Sequence, residues 1–188
     1  MKRTPRLLIL LLAFLMSVSL ISCSGGEEEG IKAPDGFLLA ENEGADYYFF
    51  YPDTWLLDRH DAGMSSAFVS ESDYSNVSVT VFTASAEYPS LVDYAENYYL
   101  KQFEGHFEGL SVKRNQDGSL KRNVLKIDDR DAISFEYSAK FGEKTYSFCS
   151  WIISDGGYLY TVLYTAEEEK YLGHWDVAEK IATSVRFK

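Results

Sequence analysis

The chain has two cysteines, and their surroundings predict different chemistry for the two thiols. Cys23 ends the segment Leu20-Ile21-Ser22-Cys23, which follows a basic start and an unbroken apolar run over residues 7–15. This layout is typical of a secretory signal sequence with a small residue at its cleavage point. Cys149 alternates with Trp151 and Ile153, which places the three side chains on one face of a strand. We expect Cys149 to be buried as a small hydrophobic residue rather than reactive.

The segment ending at Cys23 resembles the lipobox of bacterial lipoproteins in its Leu-x-Ser-Cys form. That resemblance implies that the Cys23 thiol receives a diacylglyceryl group and that cleavage makes Cys23 the first mature residue. Cys149 would then have no partner for an intramolecular disulfide. The alternative is an uncleaved membrane anchor, but residues 7–21 fall short of the roughly 20 apolar residues that span a bilayer. Two acyl chains would instead hold the protein stably at a membrane.

The charge of the chain excludes one class of function. Residues 1–22 hold three basic and no acidic residues, so the mature chain keeps 15 Lys and Arg against 29 Asp and Glu, a formal charge of −14. Nucleic-acid-binding domains are basic, so we expect no nucleic-acid partner. The Gly- and Glu-rich stretch near the new N-terminus is typical of a solvated tether. We predict a signal peptide over 1–22, a lipid-anchored tether over 23–34 and one domain over 35–188.

Residues that could bind metal or act in catalysis are sparse. Two loops concentrate the possible metal ligands: Asp58, His60 and Asp61 in one, and Asp128, Asp129 and Asp131 in the other. We interpret the first as a solvated acidic loop and the second as a turn in which aspartates form local hydrogen bonds. The sequence has no Gly-x-Ser-x-Gly motif and no phosphate-binding glycine loop. It therefore predicts no metal site, no cofactor and no catalytic residue.

Four cations flank Asp117-Gly118, a dipeptide typical of two-residue hairpin turns. They are Lys113, Arg114, Lys121 and Arg122. Such a turn would place Arg114 opposite Lys121 and Lys113 opposite Arg122, and like charges in opposite positions destabilise a hairpin. The cluster could meet an anion, such as a lipid headgroup, a cell-wall polymer or an acidic partner. The alternative is that the long side chains extend into water or pair with neighbouring carboxylates.

Periodic patterns predict the elements that would position these residues. A run of aromatic residues with high β propensity predicts a strand over 47–51, and further strands are predicted over 66–70 and 77–83, the last from its alternation. Ser90 with Asp93 forms a capping pair that starts a helix. One face of that helix is expected to comprise Leu91, Ala95, Tyr98, Tyr99 and Phe103. From Leu110 onward, tight turns predict an antiparallel meander. A final helix begins at residues 167–169, with an inner stripe of Tyr171, Leu172, Trp175, Ala178, Ile181 and Ala182. The predicted class is α+β, an antiparallel sheet with helices packed on its faces.

Several short motifs, in their order along the chain, resemble those of PsbP-like domains over roughly residues 35–188. They are Phe50-Tyr51-Pro52-Asp53-x-Trp55, Leu91-x-x-Tyr94-Ala95, Asp129-Arg130-Asp131-Ala132 with Glu136-Tyr137, Tyr158-x-Tyr160-x-x-x-Tyr164-x-Ala166 and Ser184-Val185-Arg186-Phe187. The resemblance implies an α/β/α sandwich, as in the extrinsic photosystem II protein and its bacterial relatives, which are largely lipid-anchored and non-enzymatic. Because these motifs consist of fold determinants, they imply no site and no photosystem role.

These observations together predict a lipid-anchored, extracytoplasmic binding or assembly module without catalytic activity. The expected partners are a membrane, through the lipid on Cys23, and a protein or anionic component of the cell envelope. We expect the outer face of the cytoplasmic membrane as its location, with the periplasmic side of an outer membrane as the alternative. A second hypothesis is that the acidic loops bind a metal ion or a small solute.

Overall fold

Eleven strands and two helices form the described part of the chain. The computed structural model describes residues 31–40, 42, 44–58 and 65–188. Cys23, the predicted signal peptide, most of the predicted tether, His60 and Asp61 lie outside the described residues. The strands are β1 Phe37–Ala40, β2 Tyr47–Pro52, β3 Leu56–Asp58, β4 Ser65–Ser70, β5 Asp73–Thr83, β6 Glu108–Val112, β7 Arg122–Ile127, β8 Arg130–Phe141, β9 Lys144–Asp155, β10 Tyr158–Glu167 and β11 Arg186–Phe187.

The larger sheet is antiparallel and has the order β3-β4-β5-β10-β9-β8. At its far edge β6 and β7 both pair with β8, β6 with the second half of that strand and β7 with the first. The predicted meander is therefore wrong at one point, because β6 and β7 do not pair with each other as strands. Residues 113–121 leave the sheet between β6 and β7. This interruption of the edge creates the loop that carries Lys113, Arg114 and Lys121.

Helix α1 lies on one face of this sheet and contains a π-helical turn. Its three parts are Leu91–Tyr94, the π turn Ala95–Tyr99, and Leu100–Glu104. The predicted capping pair is confirmed, since the Ser90 side chain accepts a hydrogen bond from the Asp93 amide at 3.1 Å. The π turn adds one residue to the helix, so Tyr94 and Tyr99 are both buried while Tyr98 lies at the rim. The prediction that Tyr98 belongs to the inner face is therefore wrong.

Helix α2, Glu168–Ser184, packs on the other face, against β5, β9, β10 and β2. Cys149, Trp151 and Ile153 are buried on this side, as their alternation predicts. Trp175 of α2 is stacked on Trp151 with ring centroids 5.8 Å apart. The predicted inner stripe is wrong for Leu172, which is 82% exposed because its position on the helix turns it to solvent.

Strands β9 and β10 contribute side chains to both layers, so the sheet separates two hydrophobic cores. The core on the α2 side includes Trp151, Tyr160, Tyr164 and Ile181, and the core on the α1 side includes Tyr99, Tyr137, Phe148 and Ile152. Helices on both faces of an antiparallel sheet give an α+β sandwich, which confirms the predicted fold class. Ala33–Lys188 form one compact unit.

A small sheet of order β1-β2-β11 ties the C-terminus to the start of the domain. The turn between β7 and β8 supports it, because the Asp128 carboxylate accepts a hydrogen bond from the Phe187 amide at 2.9 Å and one from the Arg130 guanidinium at 3.0 Å. Asp128 and Asp129 adopt positive φ values of 49° and 62°. Aspartate tolerates this conformation in tight turns, so the interpretation of this carboxylate cluster as turn chemistry is confirmed.

Candidate functional site

The basic loop between β6 and β7 has a different register from the one predicted. Arg114 pairs with Leu120, and the Lys121 amide donates to the Lys113 carbonyl at 3.0 Å. The predicted pairs of Arg114 with Lys121 and of Lys113 with Arg122 are therefore wrong. The register is shifted by one residue relative to a two-residue turn, and this shift changes which side chains can meet.

Local hydrogen bonds and one buried side chain explain this register. The Asp117 carboxylate accepts bonds from the Ser119 amide at 3.0 Å and from the Ser119 hydroxyl at 2.6 Å, which widens the turn. Gly118 supplies the positive φ of 85° that the widened turn requires. Leu120 is fully buried in the core beneath helix α1, together with Tyr94 and Ala95. Burial of an apolar side chain therefore fixes where the flanking cations lie.

Three of the four cations converge on a small cavity at the sheet edge. Lys113, Lys121 and Arg122 line this cavity of about 40 Å³, and we call these three residues the basic cluster. The other lining residues are Asn123, Ser134, Phe135, Glu136, Cys149 and Trp175. A cavity of this size admits little more than a single water molecule, whose share of liquid volume is about 30 Å³. A larger anion would therefore have to bind outside the cavity, against the cations that line it.

Glu136 is the carboxylate at the centre of this arrangement. Its Oε2 accepts a hydrogen bond from Lys113 Nζ at 2.8 Å and another from the Tyr171 hydroxyl at 3.2 Å. Burial raises the pKa of Tyr171, and the nearby Cys149 and Glu136 raise it further, so its phenol remains a donor. The ion pair with Glu136 holds the Lys113 ammonium group at its place in the cavity wall. The hydrogen bond from Tyr171 joins strand β8 to helix α2.

Lys121 and Arg122 differ from Lys113 in having no such partner. Among the described residues, neither has a carboxylate oxygen within 4.0 Å. Within the described part of the chain, the Arg122 guanidinium donates only to the Leu120 carbonyl, at 3.4 Å. Two cations held near one another without a counterion create a local positive potential in a chain of formal net charge −11.

Arg114 is separated from the other three cations. Its guanidinium forms an ion pair with Glu96 of helix α1 at 2.6 Å and donates to the Gly118 carbonyl at 3.0 Å. The structure therefore brings together Lys113, Lys121 and Arg122 and directs Arg114 to the helix. Arg114 thus follows the alternative given for these cations, in which a long side chain pairs with a neighbouring carboxylate.

Cys149 lines the same cavity, but its thiol is suited to packing rather than to chemistry. It is 1% exposed. Burial raises its pKa, and the negative charges of Glu136 and Glu179 raise it further. Because the thiolate is the nucleophilic form, a thiol held in its protonated form is inert at neutral pH.

Sequence patterns alone do not reveal Glu136, Tyr171 and Trp175 as parts of this site. The one sequence signal for Glu136 is that it is the single carboxylate in the stretch 132–139, whose other residues are apolar or bear hydroxyls. Tyr171 and Trp175 are two residues of an amphipathic stripe. Their convergence with Lys113 depends on packing of α2 over β8 and β9, which no local pattern records.

A second polar group, absent from the predictions, joins β5 to α2. The Asp73 carboxylate accepts hydrogen bonds from the Ser75 hydroxyl at 2.7 Å and lies 3.1 Å from His174 Nε2 and 3.6 Å from Lys170 Nζ. Burial raises its pKa, but the hydrogen bonds from Ser75 and His174 and the positive charge of Lys170 outweigh burial and lower the pKa to about 2. The Asp73 carboxylate lies between the Ser75 hydroxyl and the His174 ring. The serine and the histidine therefore do not form a nucleophile–base pair, in which the histidine must contact the hydroxyl.

The possible metal ligands do not converge in the part of the chain that the structure describes. No group of three or more His, Cys, Asp or Glu side chains in that part is arranged to hold a metal ion. Asp58 is described, while His60 and Asp61, its expected neighbours in a metal site, lie outside the described residues.

Comparison with known proteins identifies the family. A sequence profile of the PsbP family matches residues 35–187. The chain belongs to the PsbP family. A search of curated proteins finds no match. Family membership explains the antiparallel sheet between two helical layers, and the resemblance inferred from the motifs is thereby confirmed at the level of the domain.

Two solved structures share the fold of this PsbP domain. The solution structure of cyanobacterial PsbP, CyanoP, from Synechocystis sp. PCC 6803 has a TM-score of 0.57 and 15% identity, covering 90% of this chain and 99% of that one. The crystal structure of LpqN, involved in cell envelope biogenesis of Mycobacterium tuberculosis, also has a TM-score of 0.57, at 11% identity, covering 81% of this chain and 90% of that one. At these identities the likeness establishes the fold alone. No helix in the described residues is long and apolar enough to cross a membrane.

Proposed function

We propose that this PsbP-family protein is a lipid-anchored, extracytoplasmic binding module without catalytic activity that recognises an anionic group of a cell-envelope partner. The observation that carries the proposal is the basic cluster, in which Lys113, Lys121 and Arg122 line one cavity. An anion there would gain Lys121 and Arg122 as counterions at no loss of existing ion pairs. Charge-assisted hydrogen bonds are about twice as strong as neutral ones.

The non-catalytic part of the proposal is supported by the chemistry of the site. The cavity holds a protonated thiol and a carboxylate already engaged by Lys113 and Tyr171. A general base must reach the proton that it removes, and a nucleophile needs an activating partner. Glu136 is occupied as an acceptor and Cys149 is buried, so the arrangement favours binding over reaction.

The extracytoplasmic part rests on Cys23 and on the analogy with LpqN, whose description places that protein in cell envelope biogenesis. A cysteine comparison tests it. In cells fed a labelled fatty acid, the wild type and Cys149→Ala should both incorporate label and fractionate with membranes, whereas Cys23→Ala should do neither. Equal labelling of Cys23→Ala and the wild type would contradict lipid anchoring at Cys23.

Crosslinking in intact cells tests the binding function. The double variant Lys121→Glu/Arg122→Glu reverses two charges in the basic cluster, and Lys101→Glu/Lys140→Glu reverses two exposed charges elsewhere on the domain. We expect a crosslinked partner that the control variant retains and the cluster variant loses. Retention of the same partner by both variants would contradict recognition through the basic cluster.

A further inference from the structure

A second cleft lies at the junction of helix α1 with strand β5, on the opposite side of the sheet from α2. It has a volume of about 290 Å³ and is lined by Phe82, Glu87, Tyr88, Tyr94 and Tyr98, with Thr83 and Ser85 at its margin. This volume is at the lower end of the range for small-molecule sites. The proposed binding function uses none of these residues.

Three tyrosine rings form the wall of this cleft. The ring centroids of Tyr94 and Tyr98 are 5.3 Å apart with planes 29° from parallel, and Tyr88 lies 5.5 Å from Tyr98 at 49°. Tyr88 also meets Tyr94 edge to face, at 6.1 Å and 76°. The three rings thus pack against one another at several angles beside the cleft, and the faces of aromatic rings carry partial negative charge.

Local hydrogen bonds shape the backbone beside the cleft. The Tyr88 amide donates to the Ser85 carbonyl at 3.1 Å, and the Glu87 amide donates to the Ser85 hydroxyl at 3.2 Å. The π turn Ala95–Tyr99 then brings Tyr98 to the rim while Tyr94 stays buried. π turns within α-helices occur frequently at functional sites.

The electrostatics of the lining point to one class of ligand. The lining contains no Lys, Arg or His and one carboxylate, Glu87. Burial raises the pKa of Tyr88, and the charge of the neighbouring Glu87 raises it further. A carboxylate beside aromatic faces favours a cation and disfavours an anion.

Tyr94 adds an observation that is independent of the lining charge. Its side chain is 3% exposed, and its hydroxyl has no hydrogen-bond partner among the described residues. Such a group is rare in folded proteins, because an unsatisfied buried hydroxyl costs free energy. The hydroxyl is itself closed off from solvent, so Tyr94 contributes its ring to the wall and no hydrogen bond to a ligand.

We propose that this cleft binds a small organic cation, an ammonium ion with apolar substituents, with the positive centre against the faces of Tyr88 and Tyr98 and near the carboxylate of Glu87. Cation–π attraction and the Glu87 charge act on the cationic centre, while Phe82 contacts the apolar substituents. The basic cluster, by contrast, would repel this ligand.

The test compares choline with 3,3-dimethylbutan-1-ol, its neutral carbon isostere, by calorimetric titration of the full-length chain in maltoside micelles. We expect saturable binding of choline and at least about fivefold weaker binding of the isostere. Glu87→Gln should weaken choline binding by about fivefold and Tyr98→Leu by more. Matched controls are Glu143→Gln and Tyr158→Leu, which change exposed residues outside the lining.

Glu87 is exposed, so Glu87→Gln keeps the test valid if Tyr98→Leu disturbs the helix. Equal affinity for choline and the isostere would overturn the proposal, because it would show an apolar pocket indifferent to charge. Absence of saturable choline binding would overturn it too, as would an unchanged affinity in Glu87→Gln.

Discussion

The basic cluster and the tyrosine cleft form where a regular element is interrupted, and they are opposite in chemistry. The basic cluster lies where the sheet edge breaks between β6 and β7, and three cations surround its cavity. The cleft lies beside the π turn of α1, with one carboxylate and no cation in its lining. Side chains at these interruptions do not follow the regular pattern of a strand or helix, so each interruption determines which charges lie together.

Leu120 connects the two regions, because it fixes the register of the basic loop and packs against Tyr94 and Ala95 of α1. Leu120→Ala should lower the free energy of unfolding by about 2–4 kcal/mol through lost burial and the cavity that remains. Val124→Ala, at a position 78% exposed, should change it by less than about 0.5 kcal/mol. Urea unfolding of both variants measures the difference. Similar small losses in the two would show that the loop register does not depend on the core.

The buried hydroxyls of Tyr99 and Tyr94 on helix α1 differ in their hydrogen bonding. The Tyr99 hydroxyl lies 2.9 Å from the Ser150 hydroxyl and 3.2 Å from that of Tyr137, whereas the Tyr94 hydroxyl has no partner among the described residues. Tyr99→Phe should therefore cost about 1–2 kcal/mol of stability, and Tyr94→Phe should be neutral or stabilising. Thermal unfolding of the pair provides the measurement. A larger loss in Tyr94→Phe than in Tyr99→Phe would contradict this assignment.

Acid should act on the contact of Asp73 with His174 and Lys170 on the α2 side more than on the neutral hydroxyls of Tyr99, Tyr137 and Ser150 on the α1 side. The pKa of Asp73 is lowered from 3.8 to about 2 in the folded state. Its contribution is therefore complete above about pH 4 and is lost as the pH falls towards 2. Asp73→Asn should destabilise the protein by about 1–2 kcal/mol at pH 7 and by much less at pH 2.

The control for this pH dependence is Asp176→Asn, at an exposed position on helix α2, which carries His174 and Lys170, the partners of Asp73. Denaturant unfolding at several pH values gives the stability gap between each variant and the wild type. A gap for Asp73→Asn that stays constant from pH 7 to pH 2 would rule out the proposed role of its ionised form.

The smallest expected effect concerns the cation that the structure separates from the basic cluster. Arg114 pairs with Glu96, and their side chains are 45% and 29% exposed. Exposed ion pairs contribute at most about 1 kcal/mol, so a double-mutant cycle with Arg114→Ala and Glu96→Ala should give a coupling free energy below that value. Arg114→Ala should also leave anion binding unchanged, while Lys121→Ala weakens it. Equal weakening by both would return Arg114 to the binding site.

Much of the fold follows from local patterns in the sequence. Alternation locates β5, β8 and β10, and the Ser90–Asp93 pair marks the start of α1. Tight turns require antiparallel pairing, which leads to the observed class. These features are predictable because each depends on residues close together along the chain.

The site is less predictable, because it depends on packing between distant segments. The sequence predicts four cations together on a symmetric hairpin. In the structure, burial of Leu120 shifts the register, and the ion pair with Glu96 holds Arg114 away from the basic cluster. The π turn follows from how Tyr94 and Tyr99 both reach the core, and no sequence pattern marks it. Leu172 fits the period of the inner stripe yet points to solvent.

Titration of the isotope-labelled full-length chain with inorganic phosphate, followed by amide chemical shifts, tests whether the basic cluster recognises an anion. We expect saturable shifts centred on Lys113, Lys121 and Arg122, with Tyr88 and Tyr98 unaffected, and the reverse pattern with choline. Phosphate shifts that are absent, or that centre on Arg114 or on other exposed lysines such as Lys101 and Lys140, would contradict recognition of an anion by the basic cluster.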